Sequence, residues 1–355
     1  MSNRHVDQNA PVDSQRREAL KRLGQGCLGL RLGLGLWLGL GPGAAYAVTQ
    51  VQDRNPTRPH STPRPMRVIT LFQGATDTAV ALGISPLAVV ESWREKPVYP
   101  YLRSALPDVT VIGLETQPSL EDIALLEPDL IIASRFRHQN IAPLLQQLAP
   151  VLMLEQIYEF KETVRRMGQV CQREQQARWL LEQWQQRVSE IKQQMKQVFG
   201  DQPPTVSVLD IRSDHLRSYL PTSFSGSVLT ELGFAWSEVS QQASGVSIKV
   251  TSKESLPVVN AQLFFVFLRA ESPAVQQHYH ALQQHPIWQR MEAPRKQRIR
   301  EVDGIAWSLS GGILGANRIL DDVAQMLQEA QSDPPEATLT GINTMGSATR
   351  DGIKV

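Results

Sequence analysis

Arginine and aromatic side chains recur in this sequence just beyond short apolar runs, and their types and spacing could do chemistry. Trp93 and Arg94 follow the run 87–90, and Arg135 and Arg137 follow 130–133. Arg212 follows 206–209, with Arg217 and Tyr219 close behind, and Trp307 with Ser308 lies beyond 299–302. Glu115 to Gln117 complete a set rich in Arg and poor in paired carboxylates. Guanidinium forks suit the paired oxygens of carboxylates or hydroxamates, and indole and phenol faces offer flat apolar contact. Any single Arg is more simply read as an exposed charge or half of a surface ion pair. Several at equivalent positions in two halves of the chain are better explained by one cleft that holds an anionic ligand.

Other chemistries find little support. No G-x-S-x-G elbow, P-loop or H-E-x-x-H occurs, so no catalytic residue is assigned. His278, His280 and His285 cluster, but on a helix 278 and 280 point apart, and no acid accompanies them; a surface helix is the simpler reading than a metal site. The G-x-G-x-x-G match at 24–29 follows no strand. Two cysteines, Cys27 and Cys171, exclude a disulfide framework or a cysteine-rich metal site. A formal charge of +1 gives no argument for nucleic acid or an anionic membrane as partner.

These residues need a scaffold, and 355 residues with 41% apolar and 20% charged content can build two ordinary domains. From Phe160 to Val198, apolar residues recur at alternating steps of three and four, interrupted only near Glu174. That period lays one stripe along a helix. Gly200, Pro203 and Pro204 end it. A helix over 160–200 would be a rod of roughly 60 Å, a beam carrying one α/β lobe at each end. A coiled-coil seam or an ordinary long surface helix are the alternatives. The first lobe spans 67–159. Its runs 67–71, 87–90, 109–112, 128–133 and 151–154 read as strands separated by helices, which predicts a parallel sheet covered on both faces. The second lobe spans 201–330, with strands at 206–209, 264–268 and 299–302 and helices at 274–284 and after Ile313. Ligands of such sheets sit outside the carboxyl ends of the strands, which is where the Arg and aromatic set falls.

The flanks read as processing and spacer segments. Residues 1–47 carry Arg16-Arg17 with Leu20-Lys21, a Leu/Gly run over 28–40, and Ala45-Tyr46-Ala47. This predicts an export signal resembling the twin-arginine type, with a Sec signal or a lipidated Cys27 as alternatives. The 48–66 segment, with four prolines among polar residues, is an extended linker. Residues 331–355 have no apolar period and read as a disordered tail.

From about Arg67 to Leu327 the chain resembles the periplasmic ferric-siderophore and ferric-dicitrate-binding proteins of ABC importers. The resemblance is carried by Leu120-Glu121-Asp122-Ile123 with Pro128-Asp129-Leu130-Ile131, by Arg135-Phe136-Arg137-His138, and by His215-Leu216-Arg217-Ser218-Tyr219. It continues through Phe224-Ser225-Gly226-Ser227 to Val302-Asp303-Gly304, Trp307, Gly311-Gly312 and Gly315-Ala316-Asn317. It implies two Rossmann-like lobes joined by one long helix, with little hinge motion. It also implies a non-enzymatic, periplasmic and monomeric binding protein with no intrinsic cofactor, whose ligand is an iron(III) chelate of citrate or hydroxamate type. Binding would fall to Arg135, Arg137, Arg212 and Arg217, with Tyr219, Trp307, Trp93 and Arg94 as further contacts. Docking to the ABC permease would fall to an acid on each lobe, Asp77 and Glu231. Haem or cobalamin binding on the same fold is the nearest alternative. A metallochaperone or enzyme using His138 or His215 is the more distant one.

Overall fold

The computed structural model describes residues 66–332. The expected export signal, Cys27 and nearly all of the linker and tail lie outside the described residues. Lobe 1 follows the sequence reading closely. Its strands are β1 (Val68–Thr70), β2 (Ala88–Glu91), β3 (Thr110–Leu114), β4 (Gln117–Pro118), β5 (Leu130–Ser134) and β6 (Val151–Leu154). Its helices are α1 (Gln73–Ala81), α2 (Leu120–Leu125), α3 (Arg135–His138) and α4 (Ala142–Leu148). The sheet order is β4-β3-β2-β1-β5-β6, parallel except for the short β4. All five residues of β5 are buried, as expected of a strand covered on both faces. The chain leaves β1 toward β2 and β3, then returns to β5 on the other side of β1. This reversal opens a crevice at the carboxyl ends of β1 and β5.

The connector differs from the single rod expected. It is two helices, α5 (Phe160–Val170) and α6 (Glu174–Phe199). The apolar series advances six residues from Cys171 to Ala177 where seven would hold one face, so the stripe turns by about 100°. The chain breaks there through Gln172, which takes a φ of 55°. Gly168 makes the fold-back possible, because a Cβ on it would meet the Ala177 Cβ at 2.4 Å. α5 packs on α1, and α6, about 39 Å long, carries the chain to lobe 2. The stripe itself is buried as predicted, with Trp184, Val188, Ile191 and Met195 inside. Cys171 lies on it with its thiol pushed up to about 11 by burial, a packing residue.

Lobe 2 contains β7 (Val206–Ile211), β8 (Leu216–Tyr219), α7 (Phe224–Leu232), α8 (Glu238–Gln242), β9 (Ser247–Val250) and β10 (Leu263–Leu268). It continues with α9 (Pro273–Gln283), α10 (Pro286–Arg290), α11 (Glu292–Arg295) and β11 (Ile299–Glu301). A π-helical turn at Ile305–Leu309 and α12 (Ile313–Ser332) close it. The order is β11-β10-β7-β8-β9, with β10 parallel to β7 and β11 while β8 and β9 run antiparallel. Only four residues join β7 to β8, too few for a crossover helix, so a hairpin is forced. The closing helix runs through Gln331 and Ser332, two residues into the expected tail.

One hydrophobic cluster runs through both lobes, from Val68 and Ile132 through Trp184 to Val208 and Phe265 and on to Ile319 and Val323 of α12. Asp77 ties α12 to lobe 1. Its carboxylate accepts from the backbone N–H of Leu314 (2.8 Å) and Gly315 (2.9 Å) and from the Tyr101 hydroxyl (2.8 Å). It thus caps the start of α12 from another element, with no exposed surface. Gly312 is required beside it, because a Cβ there would lie 2.2 Å from the carboxylate. This corrects the expectation of a docking acid at Asp77: burial raises its pKa to about 6, and it presents nothing to a partner.

Candidate functional site

The carboxyl ends of both sheets face a shared cleft of about 460 Å³. In lobe 1 the ends of β1, β2, β3, β5 and β6 bring Gln73, Trp93, Glu115, Arg137 and Tyr158 to it. Glu115 organises this wall. It is buried, and its carboxylate accepts from Arg137 Nε (3.0 Å), the Gln73 backbone N–H (3.1 Å) and Trp93 Nε1 (3.3 Å). Burial raises its pKa, and Arg137 pulls the other way. The Arg137 guanidinium also lies over the rings of Phe136 (4.9 Å) and Trp93 (5.6 Å). Ser134 caps α3 by accepting from the Arg137 N–H, which fixes the backbone under that side chain.

In lobe 2 the wall is built on Asp210 at the end of β7, which has no exposed surface. Its carboxylate accepts from Arg212 (Nε 3.1 Å, terminal nitrogen 2.9 Å) and from Arg269 (Nε 3.1 and 3.2 Å). Arg269 also donates to the Tyr219 hydroxyl (2.9 Å), which shares a hydrogen bond with Ser308 Oγ (2.9 Å). Three arginines and two buried acids leave these two clusters a net charge of +1. Each acid holds its arginine in one orientation but does not use it up. Arg137 commits only Nε, and Arg212 and Arg269 each keep a terminal amino group with no hydrogen-bond partner among the described residues. Such a wall can hold an anion with little reorganisation.

Of the residues named from sequence, Trp93, Arg137, Arg212 and Tyr219 converge on the cleft. Trp307 borders the cleft floor but has no exposed surface, its indole donating to Asp322 (2.6 Å) and its ring against Phe265, so it backs the floor as part of the core. Arg135 points to the exterior and pairs with Glu155 (3.0 Å). Arg217 reaches Ser247 (3.3 Å) and does not line the cleft. Arg94 crosses between lobes to the Leu268 carbonyl (3.4 Å). Glu231 is partly buried and bound to Lys161 (2.7 Å). Arg269 was missed. It directly follows β10, so the strand-end rule would have found it had that strand been followed one residue further. Phe136, Tyr158 and Phe224 also line the cleft without having been singled out.

His138 is buried, with Nδ1 accepting from the Ser134 N–H (3.1 Å) and Nε2 facing the Glu115 carbonyl (2.8 Å). Both ring nitrogens are occupied, and burial lowers its pKa, so it is a neutral brace between β3 and α3. Among the described residues no group of three or more His, Cys, Asp or Glu side chains could hold a metal ion. No described helix is long and apolar enough to cross a membrane.

Comparison with known proteins agrees with this geometry. The achromobactin-binding periplasmic protein of Dickeya dadantii (strain 3937) is 63% identical over 263 residues, covering 74% of this chain and 86% of that protein. The Fe(3+) dicitrate-binding periplasmic protein FecB of Escherichia coli (strain K12) is 31% identical, covering 74% and 85%. The crystal structure of Staphylococcus aureus SirA complexed with staphyloferrin B superposes with a TM-score of 0.71 at 33% identity, covering 75% of this chain and 94% of SirA. Residues 68–306 match the periplasmic binding protein family, and with two lobes, a cleft between their strand ends and relatives of this kind, the chain belongs to that family.

Proposed function

We propose that this protein captures an anionic iron(III) chelate outside the cytoplasm and delivers it to an ABC importer, acting as a monomer and not as an enzyme. The observation that carries this reading is the pair of facing walls on which Arg137, Arg212 and Arg269 stand over buried carboxylates with N–H groups unspent. A chelate rich in carboxylate oxygens suits that set better than an uncharged one. The iron arrives as part of the cargo, held by its chelator, and the protein reads the chelator's outer oxygens and its apolar edges against Trp93, Phe136 and Tyr158. Haem or cobalamin would call for an aromatic cleft without converging guanidinium groups. The names of the relatives support a siderophore as ligand, with achromobactin and ferric dicitrate the first to test. Of the two acids expected to meet the permease, Glu231 alone reaches the surface, and it does so as the partner of Lys161.

The test is titration of the purified protein with ferric achromobactin and ferric dicitrate, read by tryptophan emission. Trp93, 44% exposed at the cleft rim, is the reporter. Saturable quenching by at least one chelate is expected. No response to either would overturn the reading.

A further inference from the structure

We propose that the N-terminus of α7 is an oxyanion subsite of the cleft that takes one carboxylate of the chelate, an inference that rests on the function proposed above. Two longer helices begin at the cleft, α1 from lobe 1 and α7 from lobe 2. At α1 the anion position is already filled by the protein: the Gln73 N–H donates to the buried Glu115 carboxylate at 3.1 Å. The molecule therefore carries its own example of a carboxylate seated on a helix start in this cleft.

At α7 the corresponding place has no acid in the first turn. Ser223 caps the helix, its Oγ accepting from the Gly226 N–H (3.0 Å) and donating to the Leu220 carbonyl (2.7 Å). The N–H groups of Phe224 and Ser225 are left without a partner among the described residues. A second and independent feature points to a ligand. Ser225 lines the cleft, is 1% exposed, and its Oγ has no hydrogen-bond partner. A buried hydroxyl without a partner is a standing cost that an incoming oxygen removes. Two free N–H groups, a hydroxyl and the positive end of the helix dipole together fit one carboxylate. Because Arg212 and Tyr219 line the same cleft, the ligand class is a chelate with at least two outward carboxylates. One of these goes to the guanidinium wall and one to α7.

Gallium(III) complexes of citrate and of achromobactin serve as diamagnetic probes on the full chain. Ser223-Phe224 is the one Ser-Phe pair in the sequence, so carbonyl-13C serine with 15N phenylalanine isolates the Phe224 amide. Its proton is expected to move downfield on titration with at least one probe. Ser225→Ala is expected to weaken the corresponding ferric chelate about tenfold while leaving the thermal midpoint of the ligand-free protein unchanged or raised, since the hydroxyl holds nothing inside the protein and its removal lifts the cost of an unpartnered buried group. If chelates quench the wild type but the Phe224 amide does not move and Ser225→Ala binds as well as wild type, the subsite is overturned and the proposed function stands. If ferric chelates give no quenching yet iron-free citrate still shifts the Phe224 amide, the subsite stands and the proposed function falls. No shift with any probe overturns the subsite.

Discussion

The two walls of the cleft solve one problem in different ways. Lobe 1 gives one acid one guanidinium and clamps it between two rings, so Arg137 is held as much by Trp93 and Phe136 as by Glu115. Lobe 2 gives one acid two guanidinium groups and a phenol, so Arg212, Arg269 and Tyr219 all depend on Asp210. The first arrangement leaves an apolar, nearly neutral wall. The second leaves a net positive one, and the anionic pole of a ligand belongs there. Dependence on a single residue differs accordingly, and that difference can be measured.

The largest effect is expected from Asp210→Ala. Removing the acid leaves two partly buried guanidinium groups uncompensated, and unfolding in urea should show a loss of about 3–5 kcal/mol. Glu115→Ala, where aromatic packing persists, should lose less, about 1–3 kcal/mol. Equal losses would break the comparison. Asp77 tests the frame that holds the walls together. Burial raises its carboxyl from the ordinary 3.8 to about 6 in the fold, so the fold binds that proton more tightly than the unfolded chain does. Its contribution to stability is full below about pH 4 and is lost as pH rises through about 6, a change of about 3 kcal/mol. Urea unfolding of wild type and Asp77→Asn should therefore shift in the variant's favour by about that amount between pH 4 and pH 7, and a constant difference would refute the buried cap.

Ligand affinity comes next in size. Arg212→Ala, Arg269→Ala and Arg137→Ala should each cost about 1–3 kcal/mol in chelate binding. The Arg212/Arg269 double variant should fall short of the sum of its singles, because both side chains share Asp210. Additivity there would mean that the two act independently. Arg135→Ala, an exposed pair on the outer face, should change affinity and stability by less than about 0.5 kcal/mol.

Much of this was legible before any coordinates. The strands of lobe 1 announce themselves because strands buried on both faces are continuous apolar runs, and Leu130 to Ala133 is one. The rule that ligands gather past strand ends found Trp93, Arg137, Arg212 and Tyr219. Trp307, which that rule named and which backs the cleft floor, and Asp77, which the family resemblance named, are both fully buried for a common reason. An indole or a carboxylate can be buried when one or two specific partners await it, and those partners, Asp322 for the first and Leu314 with Gly315 for the second, lie on α12. β9 was missed because Ser247-Ile248-Lys249-Val250 is a half-exposed edge strand with a weak apolar signal. The helix break at Gln172 was visible only as one missing step in the apolar series.

Sequence alone determined what depends on local period and residue type: two α/β halves, a helical connector, and arginines placed at strand ends. Tertiary structure decided which of those arginines face one another. A guanidinium ends its side chain several bonds from the backbone, and whether it turns inward depends on where a buried acid stands. Glu115 and Asp210 draw Arg137, Arg212 and Arg269 to the cleft, while Glu155 draws Arg135 away from it.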